Sequence, residues 1–462
     1  MFKKLFLVTI LEISLFASIY TEVYEEREDA QNAIRDYHHG VSLVEYNNGT
    51  VNNPDINYYA SWAMAENGRL VGDDETTLDL KISQISFEWG TLHDKNYGDF
   101  LLEQTTNIND SAQEPASTTN LYKGSKQMMS VWEDGRKRDG EYRMEIHGRL
   151  HNQNGTALND SKSDWVLDHH NATYKTHSPV VTHIVREGSN QDLYVVAYVE
   201  EHGSGGHIKV RIFDQEGNKQ GSNYMVTDSG NSWWPVITTD ENNHVFIAWV
   251  TKDGEDIDMR GCILSVSSNY TISCQQTSSI YNIKPYNYQV TWLENIERFL
   301  MIANKDQDNS TVKIMTINGS LKGSKDLNKP IVREAQLAIR WENEYGDNAY
   351  KVIYPSGKKD IAVLKVTSNH IVSQQNHSIQ ALQDVVTFST QEVKENENGT
   401  YKVVNSTESV WPRTGIAAKF VQDTDGQEIW TINGEKKNKV LFLFNDKDGY
   451  LTDATVNVEV GF

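Results

Sequence analysis

The sequence predicts an all-β chain made of repeats, most simply a β-propeller of about seven four-stranded antiparallel blades, with six or eight as the alternatives. Three observations predict it. A unit of apolar strand, polar Gly/Asp-rich loop, alternating strand, tight turn and small or polar strand recurs along the chain. Its turns carry Asn-Gly, Asp-Gly or Glu-Gly, which supply the positive φ that short hairpin turns demand. Between Gly217 and Asn369 the turn centres recur about every 50 residues, the size of one propeller blade.

Taken in order, the chain opens with Met1 to Ser18, where Lys3 and Lys4 precede an apolar run ending near Ala17. That layout predicts a secretory signal peptide over 1–18. Residues 19–462 then read as a single propeller domain. The first copy of the unit runs from Val41–Tyr46 to Asn67-Gly68, and the second from Met128–Trp132 to Asn154-Gly155. The clearest copies are Tyr194–Val199 with Ile208–Phe213, and Val245–Val250 with Met259–Leu264. Three more follow: Phe299–Ala303 to Asn318-Gly319, Tyr350–Tyr354 to Ser368-Asn369, and Ile429–Ile432 to Asp448-Gly449. Stretches 98–126 and 380–404 fall outside the pattern and read as insertions. Each unit is a small sheet that buries its faces only against its neighbours.

The fourth strand of each unit, innermost in a propeller, precedes the first apolar one. It is expected at Ser178–Ile184, Trp234–Thr239, Lys284–Val290 and Trp411–Ile416, each carrying Pro near its start, where no ladder hydrogen bond is lost.

Val131-Trp-Glu-Asp-Gly-Arg136, followed by a strand, a Gly turn and Ser178-Pro-Val-Val or Trp234-Pro-Val-Ile, resembles the V-W-x-D-x-R … G … S-P-x-V repeats of secreted β-propeller proteins. The resemblance covers roughly residues 28–462. Its Trp-x-Asp-x-Arg element is intact at Trp132, Asp134 and Arg136 alone. It implies a fold and leaves function to be argued from sites.

Two further features bear on compartment. Cys262 and Cys274 are the only cysteines and are equidistant from Ser268, so a hairpin turning there sets them opposite each other, and a disulfide is expected. Eleven Asn-x-Ser/Thr sequons, at Asn48, Asn109, Asn154, Asn159, Asn171, Asn269, Asn309, Asn318, Asn376, Asn398 and Asn405, predict N-glycosylation of an exported chain. No later stretch is apolar for the length a transmembrane helix needs, so no membrane span is expected. The net charge of −21 repels a phosphate backbone and disfavours nucleic acid as a partner.

Candidate chemistry is sparse. The loops between the second and third strands, among them Glu200–His207 and Lys252–Asp258, make one face acidic and Gly-rich. Such loops have the composition to hold Ca2+, yet turns favour Asp, Asn and Gly for backbone reasons alone, so no cofactor and no metal site is expected. Asp228-Ser-Gly-Asn-Ser-Trp233 partly resembles a sialidase Asp-box but lacks the Ser or Thr two residues before the Asp and occurs once. The adjacent pairs His38-His39 and His169-His170 point to opposite faces of a strand and do not suit one ion. No catalytic residues are assigned. Trp233, Trp234 and Trp411, between blades, are the candidate ligand-binding residues: facing outward they would stack on sugar rings, facing inward they would wedge blades.

The expected function is a secreted, glycosylated, non-enzymatic structural or adhesion protein: a coat or filament subunit, or a glycan- or protein-binding module. Its partners are an extracellular protein or glycan, with self-association into a coat or filament included. The alternative is a carbohydrate-active propeller, a lectin or a sialidase-like glycoside hydrolase.

Overall fold

The computed structural model of the chain describes residues within 41–458, apart from connecting stretches of which 66–77, 104–111, 374–389 and 407–415 are the longest. The signal-peptide stretch 1–18 lies outside the described residues, as do Trp411 and the sequons at Asn48, Asn109, Asn154, Asn171, Asn376 and Asn398.

Among the described residues the strands form nine antiparallel sheets, of which seven follow one another as blades and two are small hairpins. Each blade begins with an inner strand and meanders outward. Blade 1 comprises Val41–Asn47, Ile56–Ala65, Leu78–Glu88 and Thr91–Asp94, with Phe100–Glu103 also on its third strand. Blade 2 comprises Ala112–Thr119, Met128–Asp134, Glu145–His151 and Trp165–Asp168. Blade 3 is Tyr174–Val185, Asp192–His202, Gly205–Phe213 and Lys219–Met225; blade 4 is Ser232–Thr239, His244–Asp253, Asp256–Val266 and Ile272–Gln276. Blade 5 is Tyr288–Leu293, Arg298–Asn304, Ser310–Met315 and Leu321–Leu327; blade 6 is Ala338–Glu342, Ala349–Ser356, Asp360–Val366 and Ile371–Ser373. Blade 7 is Ile416–Val421, Lys436–Asn445 and Leu451–Val458, with Ile429–Trp430 beside the start of its middle strand.

Burial follows from this order. The second strand of blade 3 is buried at nine successive residues, because sheets cover both of its faces. Its third strand alternates, and its fourth, Lys219–Met225, is mostly exposed at the rim. The core is accordingly a series of interblade seams. Tyr194 and Val196 of blade 3 pack on Met129 and Val131 of blade 2. Val195 and Ile208 pack on Ile247 and Leu264 of blade 4, and Phe246 and Met259 on Phe299 and Met301 of blade 5. One continuous cluster joins blades 5, 6 and 7 through Ile302, Val352 and Phe442.

The ring closes. Val41, Ile56 and Tyr58 of blade 1 pack against Ala417, Val421, Leu441 and Leu443 of blade 7. On its other side blade 1 packs Val44 and Tyr59 against Met128 and Trp132 of blade 2. Among the described residues, side-chain packing joins the first and last blades, and each keeps its own strands. Among the described residues the fold is a β-propeller of seven successive sheets.

Three expectations need correction. The stretch 98–126, read as an insertion, supplies Phe100–Glu103 to blade 1 and the innermost strand Ala112–Thr119 of blade 2. Its polar sequence hid it, since an inner strand at the hub is held partly by hydroxyls: Ser117 Oγ lies 3.0 Å from Ser61 Oγ and 2.6 Å from Ser130 Oγ. Val41–Tyr46, read as the apolar second strand of the first copy, is that blade's inner strand. In the last copy the apolar middle strand is Lys436–Asn445, and Ile429–Trp430 only flanks it. The stretch 380–404 contributes to a separate hairpin, Thr390–Glu395 with Tyr401–Ser406, which joins no blade.

The prolines do more than open strands. The inner-strand register shifts between Gln113 and Ala116, between His177 and Val180, and between Trp233 and Val236, so Pro115, Pro179 and Pro235 each lie in a bulge. Ser178 and Trp234 take φ of 52° and 50° just before the proline. The Ser178 backbone N–H donates to Glu133 Oε2 of blade 2 at 3.0 Å, which ties the bulge to the preceding blade.

Candidate functional site

Cys262 and Cys274 form a disulfide within the outer hairpin of blade 4, with Cα atoms 5.8 Å apart. The pairing is as expected but the register is not. Val266 faces Ile272, so the turn centres on Asn269; Cys262 then faces Gln276, and Cys274 faces Leu264. The bond is therefore diagonal across the two strands.

Of the sequons, Asn159, Asn269, Asn309 and Asn318 are described and all four are exposed. Asn318 precedes Gly319 (φ 72°) in the outer turn of blade 5, and Asn269 lies in the corresponding turn of blade 4. Asn405 lies in the strand Tyr401–Ser406.

Trp233 and Trp234 lie on the inner strand of blade 4, their rings tilted by 38° at 6.3 Å. Both are half-buried. Trp233 packs against the seams on both sides of its blade, and Trp234 packs on the seam with blade 5. A Cβ at Gly206 of blade 3 would lie 2.8 Å from Trp233 Nε1, so the indole occupies the space that this glycine leaves. The Trp234 carbonyl accepts a hydrogen bond from the Tyr288 hydroxyl. Both rings thus contact the blade seams.

Intact motif residues also have structural roles. Trp132 is fully buried and its indole N–H donates to Asp134 Oδ2 at 3.4 Å. In blade 4 the same relation recurs with a hydroxyl: Trp249 Nε1 donates to Thr251 Oγ1 at 3.0 Å. The Asp or Thr two residues on thus satisfies a buried indole donor. A serine and a histidine meet at Ser130 Oγ and His151 Nε2, 2.8 Å apart, but both residues are sealed from solvent. His151 Nδ1–H donates to the Asn152 carbonyl at 2.7 Å, which leaves Nε2 to accept from Ser130. Burial holds the His151 imidazole down at about 4, so it is neutral and structural.

The acidic loop face contains a polar cluster on blade 3, where Glu200 accepts from His202 at 2.7 Å and from Lys209. Among the described residues no group of three or more His, Cys, Asp or Glu is arranged to hold a metal ion.

Among the described residues a concavity lies at the opposite mouth of the ring. A cavity of about 910 Å³ lies among the inner strands of blades 1, 4, 5, 6 and 7. Inner strands run side by side in one sense, as the parallel bridge between Ala335 and Ile416 shows, so their ends gather at one mouth. There Glu45 comes from blade 1, Thr239 and Glu241 from blade 4, and Thr291, Trp292 and Glu294 from blade 5. Blade 6 adds Arg340, Trp341 and Tyr350, and blade 7 adds Lys419.

Lys419 Nζ lies 3.4 Å from Glu45 Oε2. Trp341 is half-buried, its ring 5.1 Å from that of Tyr350 and tilted by 55°. Glu241 is exposed to cavity solvent while the ring walls surround it. That enclosure raises its carboxyl above the usual range; Glu294 and Glu45 add to the rise and Lys419 opposes it. Trp292 is only 9% exposed, and its indole Nε1–H finds no acceptor in the protein. The ring packs in the seam between blades 4 and 5, its centroid 4.6 Å from that of Phe299, and the nitrogen is sealed from the cavity.

None of these cavity residues stands out in the sequence. A signal exists in hindsight: Thr239-Asp-Glu241 and Leu293-Glu294 both place a carboxylate just past the end of an inner strand.

No known family model matches the sequence, and no curated relative is similar to it. Solved structures do resemble the fold. The fucose-binding lectin of Aleuria aurantia, a six-bladed β-propeller, aligns at a TM-score of 0.39 and 8% identity over 73% of this chain and 95% of that one. The protein AofleA of Arthrobotrys oligospora aligns at 0.37 and 7% identity over 76% and 87% of the two chains. A GH43 β-1,3-galactosidase aligns at 0.33 and 10% identity over 66% and 92%. The likeness is loose, and the propeller assignment rests on the sheet order and ring closure.

Proposed function

We propose that the protein is a secreted, N-glycosylated adhesion module that binds glycans without processing them, through the cavity at the mouth formed by the inner-strand ends. The observation that carries this reading is the cavity itself. It combines a half-buried indole at Trp341, carboxylates from blades 1, 4 and 5, hydroxyls from blades 4, 5 and 6, and the Lys419 ammonium of blade 7. Sugars present apolar ring faces together with hydroxyls that both donate and accept, and this lining suits both. Export accords with the signal-peptide pattern, the sequons and the disulfide. Adhesion by such a module includes assembly into a surface coat or filament, and concentration-dependent light scattering of the glycoprotein tests that aspect.

A glycan array probed with the purified glycoprotein tests the binding reading. The expected result is retention of a restricted glycan class, weakened at least tenfold by Trp341→Ala. A blank array, or retention unchanged by Trp341→Ala, contradicts it. Turnover of aryl glycosides would move the protein to the hydrolase reading.

A further inference from the structure

Two walls of the cavity share one supporting side chain, which matters for its function granted the glycan-binding reading above. Blade 5 passes from its inner to its second strand through a 3-10 turn, Glu294–Ile296, followed by Glu297 at φ 52°. Glu294, at the start of that turn, lines the cavity. The opening N–H groups of such a turn have no partner inside it, and no side chain at its N-terminus caps them. An acceptor comes instead from the next blade. The Asn295 backbone N–H donates to the Tyr350 hydroxyl at 2.9 Å. Ile296 packs on the same core cluster that contains Tyr350. A further tie across this seam, from Arg298 Nε to the Ser368 carbonyl at 3.1 Å, holds the start of the second strand rather than Glu294.

Tyr350 also faces the aromatic wall. It stands directly opposite Trp341 in the register of blade 6, and its ring backs the indole at 5.1 Å. We infer that Tyr350 is a positioning residue of the cavity: its hydroxyl fixes the turn that presents Glu294 while its ring backs Trp341, so one buried side chain sets the polar group of blade 5 relative to the aromatic face of blade 6. A sugar seated on Trp341 meets Glu294 in one arrangement only. Without the hydroxyl the exposed turn samples several arrangements, and binding must then select the competent one at a cost in affinity. Tyr350 thus acts on the glycan through Glu294.

The test compares the wild-type glycoprotein with Tyr350→Phe, which keeps the ring and deletes the hydroxyl. The probe is a printed array of N-glycans, O-glycans and microbial polysaccharide fragments, titrated with labelled protein. On the spots that the wild type retains, Tyr350→Phe is expected to raise the half-maximal concentration about fivefold, the factor one net hydrogen bond carries. Glu294→Ala should weaken retention as well, and Tyr350→Phe should add nothing further in that background, since residues acting through one another are not additive. Hydrogen exchange of peptides covering 294–297, read without glycan, should be faster in Tyr350→Phe while the strands of blade 6 keep their protection. Unchanged retention in Tyr350→Phe, or additive losses with Glu294→Ala, overturns the inference; if retention is still lost in Trp341→Ala, the glycan-binding reading stands. Unchanged exchange at 294–297 overturns it too, and loss of protection throughout blade 6 would reduce Tyr350 to a core residue. A blank array removes the two proposals together.

Discussion

Lys419 Nζ lies 3.4 Å from Glu45 Oε2, so the inner strand of the last blade touches the inner strand of the first across the cavity mouth. The pair marks the seam that closes the ring. It does not hold it, because both side chains are more than a third exposed, and such pairs contribute about 0 to 1 kcal/mol. The apolar seam beside it is different in scale. Leu441 is fully buried against Val41, Ile56 and Tyr58, and truncating such a residue costs about 2–5 kcal/mol. Urea melts should therefore show Lys419→Met within about 1 kcal/mol of wild type and Leu441→Ala well beyond it. Equal effects would reverse this ranking.

Acid should weaken the protein through two enclosed histidines, the buried His151 and the half-buried His183. His151 and His183 are both held down at about 4, first by burial; for His151 nearby Arg149 adds to this and the hydrogen bond to Asn152 opposes it. A histidine whose folded value lies below its unfolded value of 6.5 binds its proton more readily in the unfolded chain. Stability is thus full above about pH 6.5 and falls as the pH drops towards 4. Each histidine accounts for a loss of about 3 kcal/mol across that window at most. His151→Gln should lower stability at pH 7 and flatten the dependence between pH 6.5 and 4. An unchanged slope in that variant would show that other groups dominate.

Trp233 separates the wedge role from a ligand role. A Cβ at Gly206 would lie 2.6 Å from the Ser232 carbonyl oxygen and 2.8 Å from the Trp233 indole nitrogen, so Gly206→Ala should cost about 1–3 kcal/mol. Trp233→Ala should cost about 3 kcal/mol and leave glycan retention intact. Loss of retention with normal stability would return Trp233 to the binding surface.

The disulfide closes a short loop within one hairpin. Chain-entropy reasoning sets its contribution at no more than about 3 kcal/mol, and the surrounding strands already order the loop. Cys262→Ser with Cys274→Ser should lower stability by that amount or less and keep the β-rich circular dichroism spectrum. Collapse of the whole fold would mean that the outer hairpin of blade 4 is needed for the ring.

The blade grammar was legible because alternation, Gly turns and the x-Pro bulge are local properties of the chain. Tyr194–Val199 and Val245–Val250 fall on second strands because only a strand covered on both faces reads as continuously apolar. Ala112–Thr119 escaped notice because Ser117 at the hub bonds to hydroxyls, although Glu114-Pro115-Ala116 carries the same bulge signal as Ser178-Pro179-Val180. The disulfide partners were plain from their count. Their register slipped because Ser267 accepts from the Thr271 backbone N–H and centres the turn one residue later. The cavity was not legible at all. Glu45, Glu241 and Glu294 are far apart in sequence and are brought to one cavity by the ring, whereas Trp233 and Trp234 are conspicuous as neighbours and pack half-buried on the blade seams.

Zero-length carbodiimide cross-linking followed by peptide mass spectrometry tests the closed ring and its acidic mouth most directly. An amide between Lys419 and Glu45 is expected in the monomer fraction, abolished by Glu45→Gln. Absence of that cross-link at any reagent concentration, or its presence only in covalent dimers, would contradict the closed seven-bladed ring.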